Sequence, residues 1–203
     1  MAFTFFFRDI HTLELAINTV LPEIAGRSKI RIWDAGCAMG PEPYTIAMLL
    51  SELCSKFVFR NIHIDASDID EQDTFGKIIM NGLYTYDLLQ RIPTDIFEKY
   101  FIQSENEDAF KVIDTIRDRV RFQKHNLLSM KPFGDGYTMI VCKNVLLHFT
   151  QEQRIDVLKM YHAALMPGGY LVLERTQQMP SELSDNFSVL SGEAQFFKAI
   201  NKN

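Results

Sequence analysis

The residues best suited to chemistry begin where a short β-prone run, Lys29 to Trp33, ends in Asp34-Ala-Gly36-Cys-Ala-Met-Gly40. The chain then passes into an apolar helical stretch, Pro43-Tyr-Thr-Ile-Ala-Met-Leu-Leu50. Glycine at such a place lets the backbone approach a ligand closely, and ligands of open α/β sheets sit beyond the carboxyl ends of the strands. A tight strand-to-helix turn would use the same glycines. The loop spells neither G-x-G-x-x-G nor the Gly-Lys-Ser/Thr ending of a phosphate loop, which sets dinucleotides and nucleoside triphosphates back. A second run, Ile62 to Ser67, ends in Asp68-Ile-Asp70. A carboxylate there can accept hydrogen bonds from both hydroxyls of a ribose. Asp68 is the first choice and Asp70 the second, although either could instead cap a helix. The distance from the glycine loop exceeds the roughly 20 residues of the dinucleotide fingerprint.

These groups need elements to hold them. From Asp9, apolar residues at Ile10, Leu13, Ile17, Val20, Leu21 and Ile24 follow helical periodicity, with Asp9 as N-cap and Gly26 as stop. Pro41 or Pro43 suits the first turn of the next helix. Helix is expected after Asp70 to about Asn81, and again from Thr94 or Asp95. Two β-rich runs, Phe110–Ile113 and Val120–Gln123, predict a small β excursion around 102–124. Tyr137 to Cys142 reads as a buried strand. Thr150 with Gln153 forms a capping box for a helix that stops at Pro167-Gly-Gly169, before a strand from Tyr170 to Glu174. Asn186 to Ile200 reads as a hairpin turning at Ser191-Gly192-Glu193. Alternating strands and helices predict an α/β domain with a mostly parallel sheet.

Composition narrows the classes. Of 203 residues, 47% are hydrophobic and 23% charged, enough for one domain with a packed core. A net charge of −5 argues against a broad nucleic-acid surface, and the basic group Arg117, Arg119, Arg121 and Lys124 reads as a solvated strand face. Cys37, Cys54 and Cys142 share no ligand spacing and read as reduced core residues of a cytoplasmic protein. The five histidines are scattered, so no metal site is expected. Neither a signal peptide nor a membrane-spanning segment is expected.

Several blocks in order carry a resemblance. They are Thr4-Phe-Phe-Phe-Arg8-Asp9, Ile32 through Tyr44, Ser67-Asp-Ile-Asp70, Gly82-Leu-Tyr84, Lys99-Tyr-Phe101, Asn126-Leu-Leu128, Cys142 through Phe149 and Leu165-Met-Pro-Gly-Gly-Tyr170. Together they are similar to the catalytic domain of the CheR chemotaxis receptor methyltransferases, which methylate receptor glutamates. The resemblance implies a Rossmann-like class I S-adenosylmethionine-dependent methyltransferase fold with a C-terminal antiparallel hairpin. It implies S-adenosylmethionine as cofactor, with S-adenosylhomocysteine as product. It further implies that Arg8 receives the cofactor carboxylate, Glu42 its ammonium and Asp68 its ribose, with Asn126 and Leu127 at the adenine. Thr4, Gly36, Lys143 and Asn144 complete the contacts, and Arg8 and His148 are the catalytic candidates, His148 at a position that faces the methyl in the family. The implied partner is a chemoreceptor or other signalling protein, without nucleic acid or membrane insertion.

The chain departs from the family pattern mainly on the acceptor side. Lys143 stands where the family has arginine, and His148 replaces a tyrosine facing the methyl. Glu174-Arg-Thr-Gln177 replaces a Gly-His-Ser-Glu run, and Gly40-Pro-Glu-Pro43 replaces Gly-Glu-Glu-Pro. The family's helical N-terminal domain is expected to be absent, leaving a single domain over 1–203. Two further readings stay open: a methyltransferase with a small-molecule acceptor, and a non-catalytic module that binds the cofactor or its product.

Overall fold

All six residues of Tyr137–Cys142 are buried, and a strand covered on both faces belongs inside a parallel sheet. A computed structural model, describing residues 4–105 and 108–200, places it there. In chain order the strands are β1 (Ile30–Ala35), β2 (Ile62–Asp68), β3 (Leu83–Thr85), β4 (Phe101–Gln103), β5 (Ala109–Val112), β6 (Val120–Lys124), β7 (Tyr137–Cys142), β8 (Leu165–Leu173), β9 (Phe187–Ser191) and β10 (Phe196–Ala199). The helices are α1 (Ile10–Ile24), α2 (Pro41–Leu53), α3 (Lys56–Phe59), α4 (Phe75–Asn81), α5 (Tyr86–Leu89), α6 (Thr94–Tyr100), α7 (Asp114–Arg117) and α8 (Gln151–Ala164).

The main sheet has the order β6-β2-β1-β7-β8-β10-β9. Its first five strands are parallel, and β10 runs antiparallel to both β8 and β9. The order reverses at β1, which has β2 on one side and β7 on the other. Such a switch point opens a crevice beyond the strand ends. Period-two alternation divides the core: Ile30 and Ile32 pack with α1 and α2 on one face, while Trp33 and Ala35 face the α8 side. This is the class I methyltransferase fold with its terminal antiparallel hairpin.

Three boundaries and one cap differ from the sequence expectation. The β excursion is an antiparallel sheet β3-β5-β4, within 83–112, and Val120–Lys124 is not part of it. That segment pairs in parallel with β2 at the edge of the main sheet. Its propensity was visible, but its partner lies more than fifty positions earlier in the sequence, which no local pattern encodes. After β2 the helix starts at Phe75, because Asp70 gathers the backbone N–H groups of Thr74, Phe75 and Gly76 at 2.9, 3.0 and 3.1 Å. Helix α8 ends at Ala164, and β8 already includes Pro167-Gly-Gly169, with a register shift against β7. Asp9 occupies the N-cap position of α1 in the left-handed region, at φ 48°, without a side-chain cap bond. The capping box of Thr150 and Gln153 is formed as expected.

Candidate functional site

Four parallel strands deliver site residues at their carboxyl ends. Gly36 follows β1, Asp68 closes β2, Asn126 lies two residues past β6, and Lys143 and Asn144 follow β7. Glu42 comes from the first turn of α2, just after Gly40 at φ 97° and Pro41. The segment before α1 crosses this end of the sheet and adds Thr4 and Arg8. These eight residues, with Leu127 and His148, line one cavity of about 620 Å³.

Packing holds the N-terminal segment in place. Phe6 is fully buried and meets Tyr84 and Phe101 edge-on at 4.9 and 5.5 Å, so the small sheet anchors it. The Phe7 N–H donates to Thr45 Oγ1 at 3.1 Å. Phe7 and Asp9 both adopt positive φ, at 60° and 48°, and turn Arg8 between them toward the cavity. Arg8 Nη2 donates to Asn144 Oδ1 at 3.1 Å, and Arg8 Nε lies 3.8 Å from the Asp9 carboxylate. Non-glycine residues at positive φ cost energy and persist where their surroundings hold them. Here they also include Ala38 and Asn144, at 48° and 59°, both lining the cavity.

The glycine loop is built for close packing. A Cβ on Gly36 would stand 2.1 Å from Val145 Cγ2, and its φ of 98° excludes an unstrained side chain. Asp68 braces the same loop: Oδ2 accepts the Ala38 N–H at 3.0 Å and Oδ1 the Asp70 N–H at 3.1 Å. Each carboxylate oxygen has a second lone pair to offer a ligand. Asp70, the second-choice acid, is instead the cap described above and does not line the cavity. Asn126 has a structural bond as well as a place in the cavity. Its Oδ1 caps a short turn by accepting the Leu128 N–H at 2.9 Å, and the residue also lines the cavity beside buried Leu127.

A charged cluster underlies the loop. Lys143, with its side chain 1% exposed, donates to Glu42 Oε2 at 2.9 Å and to the Arg8 carbonyl at 3.3 Å. Its ammonium also lies 3.6 Å from the Asp9 carboxylate. Asp34 is fully buried, and neither carboxylate oxygen has a hydrogen-bond partner among the described residues. Burial pushes its carboxyl well above the usual range, and nearby Glu42 adds to this. Burial likewise raises the thiol of Cys37, which lines the cavity. Glu174, 4% exposed, accepts the Asn144 N–H at 3.1 Å. Its carboxyl is raised by burial against the pull of backbone N–H groups, Arg154 and Lys143. His148 sits exposed on the cavity rim, at the end of the 3-10 turn Leu146–His148.

Sequence reasoning missed Asp34 and Glu174, whose burial depends on the closed sheet, and the apolar rim of Ile69, Leu128 and Leu147. Those three stay 47%, 38% and 47% exposed at the cavity mouth. Asp34 had one local signal, its place directly before the glycine loop. The site as a whole offers a guanidinium and a carboxylate for an amino-acid end, a second carboxylate for a diol and an apolar cleft for a flat ring. That donor set fits S-adenosylmethionine.

Comparison with known proteins agrees. The family model described as CheR methyltransferase, SAM binding domain, matches residues 2–196. A chemotaxis protein methyltransferase of Borreliella burgdorferi is 31% identical over 182 residues, covering 86% of this chain and 63% of its own length. Chemotaxis protein methyltransferase 2 of Vibrio cholerae is 32% identical over 192 residues, covering 92% and 65%. The chain thus spans a little under two thirds of each. Among solved structures, magnesium protoporphyrin IX methyltransferase of Synechocystis with bound SAM is similar in fold, with a TM-score of 0.50 at 14% identity, covering 95% of this chain and 79% of that one. The chain belongs to the CheR methyltransferase family and comprises its S-adenosylmethionine-binding domain.

Proposed function

We propose that this chain transfers a methyl group from S-adenosylmethionine to a carboxylate, most simply a glutamate side chain of a cytoplasmic signalling receptor. The supporting observation is convergence: residues from six separate segments, implied by the family resemblance to contact one cofactor, line a single cavity. The named relatives are chemotaxis methyltransferases, which favours a receptor as acceptor. No helix among the described residues is long and apolar enough to cross a membrane.

When bound, the cofactor supplies a methyl group made electrophilic by its sulfonium. In this reading Arg8 holds the α-carboxylate in charge-assisted hydrogen bonds, while Glu42 faces the ammonium. Asp68 accepts the ribose hydroxyls, and Asn126 and Leu127 border the adenine. An acceptor carboxylate is ionised at neutral pH, so the protein need not remove a proton. Its contribution is to align the acceptor oxygen with the methyl and to exclude water. His148 and the rim residues Leu147 and Leu128 flank the path by which the acceptor enters.

Methyl-labelled cofactor, incubated with the protein and a panel of receptor cytoplasmic domains, tests the reading. Label on protein that mild base releases as methanol supports a glutamyl ester. Base-stable label, or transfer only to small molecules, replaces the acceptor. Tight binding of S-adenosylhomocysteine with no turnover of any acceptor replaces the enzyme with a binding module.

A further inference from the structure

We propose that Glu174 is a positioning residue of this cavity: through Asn144 it sets the guanidinium of Arg8 that would receive the carboxylate of the ligand's amino-acid end. The proposal rests on the cofactor reading above and assigns a role to a buried group that the reading does not use.

The placement follows from the sheet. Leu173, the last residue of β8, pairs with Cys142, the last of β7. The residues that follow, Glu174 on one side and Lys143-Asn144 on the other, therefore leave the sheet together. Glu174 Oε2 accepts the Asn144 N–H at 3.1 Å, whereas Oε1 has no hydrogen-bond partner among the described residues. Asn144 is held at φ 59°, a conformation that asparagine tolerates better than most residues but that still needs support. That conformation turns the Asn144 side chain so that Oδ1 accepts from Arg8 Nη2 at 3.1 Å. Lys143, one residue earlier, fixes the Arg8 carbonyl at 3.3 Å. One loop thus grips both the backbone and the side chain of Arg8, and Glu174 grips the loop.

A buried carboxylate is a costly way to satisfy one N–H, since a neutral acceptor would serve with less desolvation. The charge gives a bond about twice as strong as a neutral one, and the cationic neighbours Arg154 and Lys143 favour it. A group whose task is to keep a strained loop in one state gains from that extra strength.

The test compares two probes that share adenosine but differ at the amino-acid end. S-adenosylhomocysteine carries the α-carboxylate and 5′-methylthioadenosine does not. Glu174→Met is close in shape and offers no acceptor. It should weaken S-adenosylhomocysteine by about tenfold, consistent with loss of one charge-assisted hydrogen bond, and leave methylthioadenosine unchanged. In an Arg8→Ala background the same substitution should no longer affect either probe. Should Glu174→Met not fold, Glu174→Gln serves, because its amide oxygen still accepts from Asn144 without charge. It should weaken S-adenosylhomocysteine by about threefold and spare methylthioadenosine. Equal losses for both probes, or no loss for either, overturn the role of Glu174 while leaving the cofactor reading intact. A wild-type protein that binds neither probe overturns both.

Discussion

Replacing Asp68 by alanine acts on the protein in two ways, which separate measurements resolve. On the ligand side, in the proposed cofactor reading, it removes an anionic acceptor of two ribose hydroxyls. Hydrogen bonds to a charged group contribute about 1.5–3 kcal/mol, so affinity for S-adenosylhomocysteine should fall about ten- to a hundredfold. On the protein side, the backbone N–H groups of Ala38 and Asp70 lose their acceptors at 3.0 and 3.1 Å. Asp68 is half-buried, so water can replace much of what is lost. About 1 kcal/mol for each bond is then a reasonable cost. For a chain of 203 residues that total lowers Tm by roughly 4–8 °C. Calorimetry with S-adenosylhomocysteine gives the first effect, and a thermal melt without ligand the second. Asp68→Asn, which keeps one acceptor oxygen, should fall between wild type and alanine in both. Undiminished affinity in Asp68→Ala refutes the assignment of the ribose acid, and loss of binding in Asp70→Ala alone would move it to Asp70.

The other predictions concern groups around the site. Burial pushes the Asp70 carboxyl up, but the N–H groups of Phe75, Gly76 and Thr74 and the charge of Lys124 hold it below the usual range. A depressed folded value means the carboxylate stabilises above the unfolded pKa of about 3.9, and this contribution disappears as pH falls through the lower folded value. The stability gap between wild type and Asp70→Asn should therefore stay level from neutral pH down to about 5 and close below about 4. A gap that widens in acid contradicts this. Gly36→Ala drives a Cβ to 2.1 Å from Val145 Cγ2 at φ 98°, and should cost about 2 kcal/mol or more in denaturant unfolding. Adding Val145→Ala should recover part of that loss, and a stable single variant would show that the loop is more pliant than its packing implies. His148→Tyr, changing an exposed rim residue, should alter the methyl-transfer rate without altering Tm or S-adenosylhomocysteine affinity. A variant that unfolds would place His148 in the framework instead.

Much of this protein is legible in its sequence because much of it is local. The glycine loop, the acid at the end of β2, the Thr150–Gln153 capping box and the terminal hairpin each depend on residues within a few positions of one another. Strands buried on both faces declare a parallel sheet by their unbroken apolar runs, and a parallel sheet with a switch point places its crevice at the carboxyl ends. The order of the sequence blocks pointed to the same cofactor.

Other features required the folded chain. Val120–Lys124 showed its strand propensity, but only pairing with β2, across the whole of the small sheet, decided which sheet it joins. Asp68 and Asp70 have the same chemistry two residues apart, and neither spacing nor propensity separates them. The backbone does: Asp70 points its carboxylate at the N–H groups opening α4, and Asp68 points its own at the glycine loop. Asp34 and Glu174 are ordinary acids in sequence. They became buried when β1 was enclosed between β2 and β7 and when β8 closed beside β7. Burial, long-range pairing and the direction of a side chain are properties of the whole packed chain, so the tertiary structure alone decides them.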